Sequence, residues 1–190
     1  PILALFASGE QGFWLPKVDS TYYTDTALTT EAAIDDTVAG LKDASPNAAH
    51  FTQSNAAKQA ARKAGGILLD GADDTYANSG QVLGAVGDSI TAIFVVDTVS
   101  TNISWVAGPE GNVFFSVSMS SGFARAGIRQ ASGNVTAVST TAINGAGPTL
   151  VTGTWNRPTR ALTIRINGVQ EHSLTGADED LASYTTSHIG

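Results

Sequence analysis

The stretch ALTIRINGVQEHSL, Ala161 to Leu174, decides the fold class. Leu162, Ile164 and Ile166 alternate with Thr163 and Arg165, the period of two that sends successive side chains to opposite faces of a strand. Asn167-Gly168 supplies two residues that tolerate the positive φ of a two-residue hairpin turn, so Val169 to Leu174 returns as the partner strand. Immediately upstream, TLVTGTW (Thr149–Trp155) is a third run of the same kind.

Working outward, the pattern repeats as short β-prone runs separated by Gly, Asn and Ser, which predicts an all-β, antiparallel sandwich or barrel. ISWVAGPEGNVFFSVSM reads as a hairpin; its second arm puts Val113, Phe115, Val117 and Met119 on one face and Phe114, Ser116 and Ser118 on the other. FARAGIRQ and NVTAVSTTA follow, joined by ASGN. Arg125 and Arg129 share one face of the first of these, open to solvent or to an acidic neighbour. SITAIFVVD (Ser89–Asp97) is almost continuously apolar and predicts a central strand buried on both faces.

The N-terminal half is less regular. TTEAAIDDTVAGLKD spaces Ile34, Val38 and Leu41 as a helix would, and SNAAKQAARKAGG joins helix formers to a Ser54 cap, so propensity alone reads two helices. Yet the second segment offers only alanine as an apolar face, and the strands that follow need extended partners. The expectation is therefore a loop-rich, mainly extended N-terminal third. No fixed-period repeat or linker divides the 190 residues, which are expected to form a single domain.

Composition narrows the function. With 42% hydrophobic and 14% charged residues the chain buries a sizeable core. A net charge of −7 opposes nucleic acid and anionic membrane surfaces as partners. The absence of cysteine excludes disulfides and thiolate metal sites. PILALFASGEQGFW is too short an apolar run to span a bilayer and lacks a basic leader, so synthesis in the cytoplasm without a signal peptide is expected.

FASGEQGFWLP, VAGLKDASPNAAHFTQ, ILLDGADDTY, a buried strand and GTWNRPTRALTIRINGVQ occur in an order and spacing that resemble the concanavalin A-like lectin/glucanase fold. They look most like the laminin-G-like jelly-roll domains of bacteriophage structural proteins. In that family a D-x-S-x-N turn, here Asp43 to Asn47, follows the opening segment, and a strand closes on F-D-G-x-D-D-Y, here Leu69 to Asp74 with Tyr76 one place late. Leu69 and Pro46 depart from the family's aromatic and glycine. The resemblance covers about Leu5 to Gly190 and implies a concanavalin A-like jelly roll. It also implies one further strand beyond Gly190 that pairs near the N-terminus; without it an edge would be left for a partner.

Candidate sites follow. In GGILLDGADDTYAN (Gly65–Asn78), Asp70-Gly71 reads as a strand end whose carboxylate caps turn N–H groups. Asp70, Asp73 and Asp74 with Asn78 nearby offer a calcium alternative through hard oxygen ligands, and sugar contact is a third. His50, His172 and His188 are too dispersed for a helix-borne zinc pair. Glucanases of the resembled fold carry E-x-D-x-E on one strand; this chain has no such run, and a non-catalytic protein is expected. Trp14 and Trp155 read as core or interface, and Trp105, beside AGPEGN, as the exposed aromatic. Residues 1–20 read as a docking segment, with Ile2, Leu3, Leu5 and Phe6 at its apolar start.

The resemblance implies a virion component, a capsid decoration or tail-associated protein that contacts other virion proteins, with itself as a homo-oligomer. The alternative is a carbohydrate-binding adhesion module for host-surface glycans, assisted by calcium.

Overall fold

A computed structural model of the chain describes residues 4, 6–8, 10–83, 89–97, 102–107, 114–130, 133–176 and 184–189. Side chains at 79–83, 102–107, 114, 129–130 and 184–187 fall outside that description. The strands in chain order are β1 (Tyr22–Tyr23), β2 (Gly40–Leu41), β3 (Phe51–Thr52), β4 (Ala61–Lys63), β5 (Gly66–Leu68), β6 (Tyr76–Leu83), β7 (Ile90–Val96) and β8 (Asn102–Ala107). They continue with β9 (Phe114–Ser120), β10 (Phe123–Gln130), β11 (Gly133–Ala142), β12 (Thr149–Asn156), β13 (Ala161–Ile166), β14 (Val169–Thr175) and β15 (Tyr184–Ile189). Helix among the described strand connections is confined to short 3-10 turns such as Asp19–Thr21 and Ala56–Lys58. The chain divides into two compact units, Pro1–Leu83 with Thr185–Gly190, and Gly84–Tyr184.

In the first unit the strands lie in the order β1-β2-β3-β6-β15, with β4 and β5 as a separate hairpin. Tyr22, Val38, Leu41, Phe51, Ala60 and Tyr76 form its core. Neither helix suggested by propensity exists. Val38 and Leu41 are buried from extended backbone while Ile34 is 56% exposed, and Ala61–Lys63 is a strand. Burial of a few large side chains on an extended path outweighs the small intrinsic preference of alanine-rich segments for helix. Three polar groups lock this path. The Tyr76 hydroxyl donates to Val38 O at 2.7 Å and accepts from Ala60 N at 2.9 Å. Arg62 pairs with Asp19 at 2.6 Å, donates to Ala32 O and lies over the Tyr22 ring. The Asp43 carboxylate accepts from Trp14 N, Ser45 N and Ala49 N.

β15, which carries no turn signal or clean alternation, stands next to β6, and its Ile189 packs against the first unit's core.

The second unit is a β-sandwich. One sheet has the order β14-β13-β12-β7 and the other β8-β9-β10-β11, all neighbours antiparallel. Leu162, Ile164 and Ile166 are buried on one face, as their alternation predicts, and face inward with Val151 and Trp155. Phe115, Val117 and Met119 fill the core from β9; Val113 lies outside the described residues. Gly153 sets the approach of the sheets: a Cβ there would lie 2.5 Å from Val117 Cγ2 and 3.2 Å from Ala126 Cβ. Asn167 and Gly168 take φ values of 50° and 83°, the turn that their residue types predict.

One feature departs from expectation. Among the described residues β7 is not a central strand: it ends its sheet, pairs with β12, and alternates, leaving Ile93 and Val95 52% and 73% exposed. A continuous apolar run cannot by itself distinguish a doubly buried strand from one with an apolar outer face. At the other side of the sandwich, side chains join the two sheets. Glu171 of β14 accepts from Thr140 N at 2.7 Å and Thr141 N at 2.8 Å of β11, and His172 Nδ1 lies 3.2 Å from Val138 O.

Candidate functional site

A polar surface lies on the outer face of β9, β10 and β11. In β10, Ala124, Ala126 and Ile128 are buried, so Phe123, Arg125 and Gly127 occupy the opposite face, each half-buried. Arg129 follows two residues later in the same strand; its side chain lies outside the described residues. Pairing sets the lateral neighbours. Arg125 stands between Ser118 of β9 and Val138 of β11, and Gly127 between Ser116 and Thr136.

Gly127 lets its neighbours approach closely: a Cβ at that position would meet Ser116 Oγ at 3.1 Å and Thr136 Oγ1 at 3.7 Å, so the two hydroxyls occupy the space a side chain would need. Beside it, Arg125 Nε is buried without a hydrogen-bond partner, and Arg125 forms no ion pair among the described residues. A guanidinium presents five donors in a fixed fork and cannot shed its charge, so a buried nitrogen of this kind left unmatched is costly. No acidic residue occurs in β9 or β10. The alternation in FARAGIRQ and FFSVSMS marks Arg125 and the serines from sequence alone; the roles of Gly127 and Thr136 need the cross-strand register.

The Asp70 turn is a separate matter. Asp70 Oδ1 accepts from Ala72 N at 2.8 Å and Asp73 N at 3.4 Å, and Asp74 Oδ2 accepts from Asp70 N at 2.7 Å. This is the capping arrangement of an Asx turn. Burial, with repulsion from Asp70 and Asp73, holds the Asp74 carboxyl above its ordinary value despite the hydrogen bond from Asp70. Among the described residues no group of three His, Asp or Glu side chains is placed to hold a metal ion, Asp70, Asp73 and Asp74 included.

Of the remaining sequence candidates, Ile2, Leu3 and Leu5 lie outside the described residues. Phe6 is half-buried with its ring over Gly12, where a Cβ would sit 3.3 Å from Phe6 Cε1. Trp105 stands in β8 opposite Val117, and its side chain is not among those described. Trp155 is core. His50 and His172 serve backbone groups, Asp43 N and Val138 respectively.

No family model matches the sequence, and no curated protein matches it. Solved structures do resemble it in fold. The binding domain of Paraclostridial Mosquitocidal Protein 1 aligns with a TM-score of 0.60 and 13% identity over 78% of this chain and 41% of that chain. The Botulinum neurotoxin serotype G binding domain gives 0.58 and 14% over 78% and 40%. Domains LG4-5 of the mouse laminin alpha1 chain give 0.50 and 13% over 60% and 31%. The chain thus spans less than half the length of each. The fold is an all-β antiparallel sandwich of the concanavalin A-like jelly-roll type, as its motifs predict. The resemblance holds at the level of that fold, and these structures are two toxin binding domains and a laminin, with no bacteriophage protein among the three.

Proposed function

We propose that this chain is a non-catalytic binding module that recognises carbohydrate and serves adhesion to a glycan-bearing surface. The observation that carries the reading is the outer face of β9–β11, where Ser118 stands beside Arg125, and Ser116 and Thr136 flank Gly127 two residues further along the same strand. Sugar recognition draws on this combination: hydroxyl donors and acceptors in fixed positions, a charged fork, and an adjacent aromatic, here Phe123. The fold likeness to proteins described as binding domains supports a binding role of this general kind. A virion role through protein–protein contacts is the reading of the sequence resemblance alone, and no feature of the site favours it over glycan recognition.

The test is a glycan array probed with the full chain, repeated with chelator. Binding to a defined glycan class that persists in chelator is the expected result. An array without hits at micromolar protein would refute the carbohydrate reading and return a protein partner as the better account.

A further inference from the structure

We propose that Asn144 is a site of spontaneous covalent modification, converting through a succinimide to aspartate and isoaspartate, and that Asn167, also followed by glycine, is protected by the fold. The chain holds two Asn-Gly pairs, Asn144-Gly145 and Asn167-Gly168. Glycine after asparagine favours this reaction, because no Cβ shields the following amide and the backbone rotates with little hindrance. The Gly145 nitrogen attacks Cγ of Asn144 and gives up its proton, the Cγ–Nδ2 bond breaks, and ammonia leaves. Water then opens the cyclic imide. Cleavage of the new Cγ–N bond leaves aspartate; cleavage of the original peptide C–N bond leaves isoaspartate, whose main chain runs through the side chain and is longer by a methylene.

The structure separates the two pairs. Asn144 lies in the loop between β11 and β12, where Asn144, Gly145 and Ala146 are all exposed. Its carboxamide takes part in no hydrogen bond among the described residues, and neither does the Gly145 N–H; the turn is closed one residue later, by Ala146 N donating to Ile143 O at 3.3 Å. Gly145 and Gly147 take φ values of 70° and 77°, so the segment that must rotate to bring nitrogen to carbon carries little side-chain hindrance. Asn167 stands in the opposite situation. Its Oδ1 accepts from Leu150 N at 3.0 Å, its own N–H donates to Leu150 O at 2.8 Å, and the pairing of Ile166 with Val169 fixes the turn on both sides. Ring closure there requires the carboxamide to leave Leu150 and the hairpin turn to open. Conversion at Asn144 adds a negative charge to a chain already at −7. Isoaspartate also lengthens the path out of Ile143, which is buried and donates its N–H to Gly122 O.

The experiment incubates the full chain in warm, mildly alkaline buffer made with heavy-oxygen water, followed by tryptic mapping. Cleavage after Arg129 and Arg165 places Asn144 and Asn167 on different peptides, and fragment spectra locate each acid formed. Expected is conversion at Asn144 roughly tenfold or more faster than at Asn167, the ratio to which one retained hydrogen bond of ordinary net strength corresponds. Heavy oxygen should enter at Asn144, and a more acidic band should grow on isoelectric focusing. In denaturant the two rates should converge, since both pairs then share the same local chemistry. Asn144→Gln, first shown by thermal melting to be folded, should abolish the acidic band. Equal rates at the two sites in the folded chain, or no conversion at Asn144 while the denatured chain converts, overturns the proposal. A difference that persists in denaturant also overturns it, because the fold is then not what protects Asn167.

Discussion

Replacing Tyr76 by Phe removes one oxygen and leaves two buried backbone groups without partners. The hydroxyl donates to Val38 O at 2.7 Å and accepts from Ala60 N at 2.9 Å, and Tyr76, Val38 and Ala60 are all fully buried. No solvent reaches the vacated carbonyl and amide, so each loses about 1–3 kcal/mol, and partial relaxation brings the expected loss to roughly 2–4 kcal/mol. Burial also pushes this hydroxyl up to about 12 from an ordinary value of 10.0, which outweighs the lowering effect of the Ala60 hydrogen bond. A raised pKa means that the folded state holds its proton longer than the unfolded one. The stability this confers is full below pH 10 and is lost as pH climbs toward 12, at about 1.4 kcal/mol per unit. Urea denaturation of both proteins at pH 7 and pH 11 measures both effects. The gap between wild type and Tyr76→Phe should be about 2–4 kcal/mol at pH 7 and narrow by roughly 1 kcal/mol at pH 11. A gap below about 0.5 kcal/mol at pH 7, or one that does not narrow, refutes the claim that this hydroxyl ties the Val38 and Ala60 segments together.

Gly153→Ala forces a methyl group against Val117 Cγ2 and Ala126 Cβ, and overpacking of this kind should cost about 1–3 kcal/mol, read as a lower urea midpoint with unchanged m-value. Glu171→Gln loses a charge-assisted acceptor for β11. Hydrogen bonds from Thr141 and Thr140 outweigh desolvation and hold the wild-type carboxyl below its ordinary value, so wild-type stability should fall as pH drops below 4.5, and that of the variant should fall less; equal acid slopes would count against the link. Asp74→Asn keeps an oxygen for Asp70 N while removing a repelled, desolvated charge, so it should be neutral or stabilising at pH 7 by differential melting. Chelator should leave the wild-type melting midpoint unmoved, and a drop would restore calcium to this turn.

Legibility in the sequence followed the locality of the interactions. The hairpin at Asn167-Gly168 and the faces of β9 and β13 are set by residues within a few positions of each other, and there the alternation reads true. β7 misled because its outer apolar residues, Ile93 and Val95, look like burial when only the strand itself is considered. Its partner β12 lies beyond four intervening strands, and nothing in Ser89–Asp97 records that. Val38 and Leu41 misled in the opposite sense, since helical spacing arose from two residues that reach one core on extended backbone. For the site, Arg125 and Arg129 were visible as one face of a strand, but the close approach of Ser116 and Thr136 to Gly127 exists only where three strands meet in register. The Asp70 cap is a contact between near neighbours and was read correctly as a turn.

The chain path of the first unit is interrupted: it leaves at Leu83 and returns only at Thr185, bringing Ile189 to a core otherwise made of residues from the first half of the chain. On the ribosome that core is synthesised early and completed late. While the intervening residues are translated, β6 lacks its neighbour β15, and the Tyr22, Phe51 and Tyr76 cluster lacks one of its covering side chains. The second unit, whose strands are contiguous in sequence, can fold during that interval. The first unit therefore closes only after the second has been synthesised, and the interval before Ile189 emerges is when the early core is most open to chaperones and to pairing with the wrong strand.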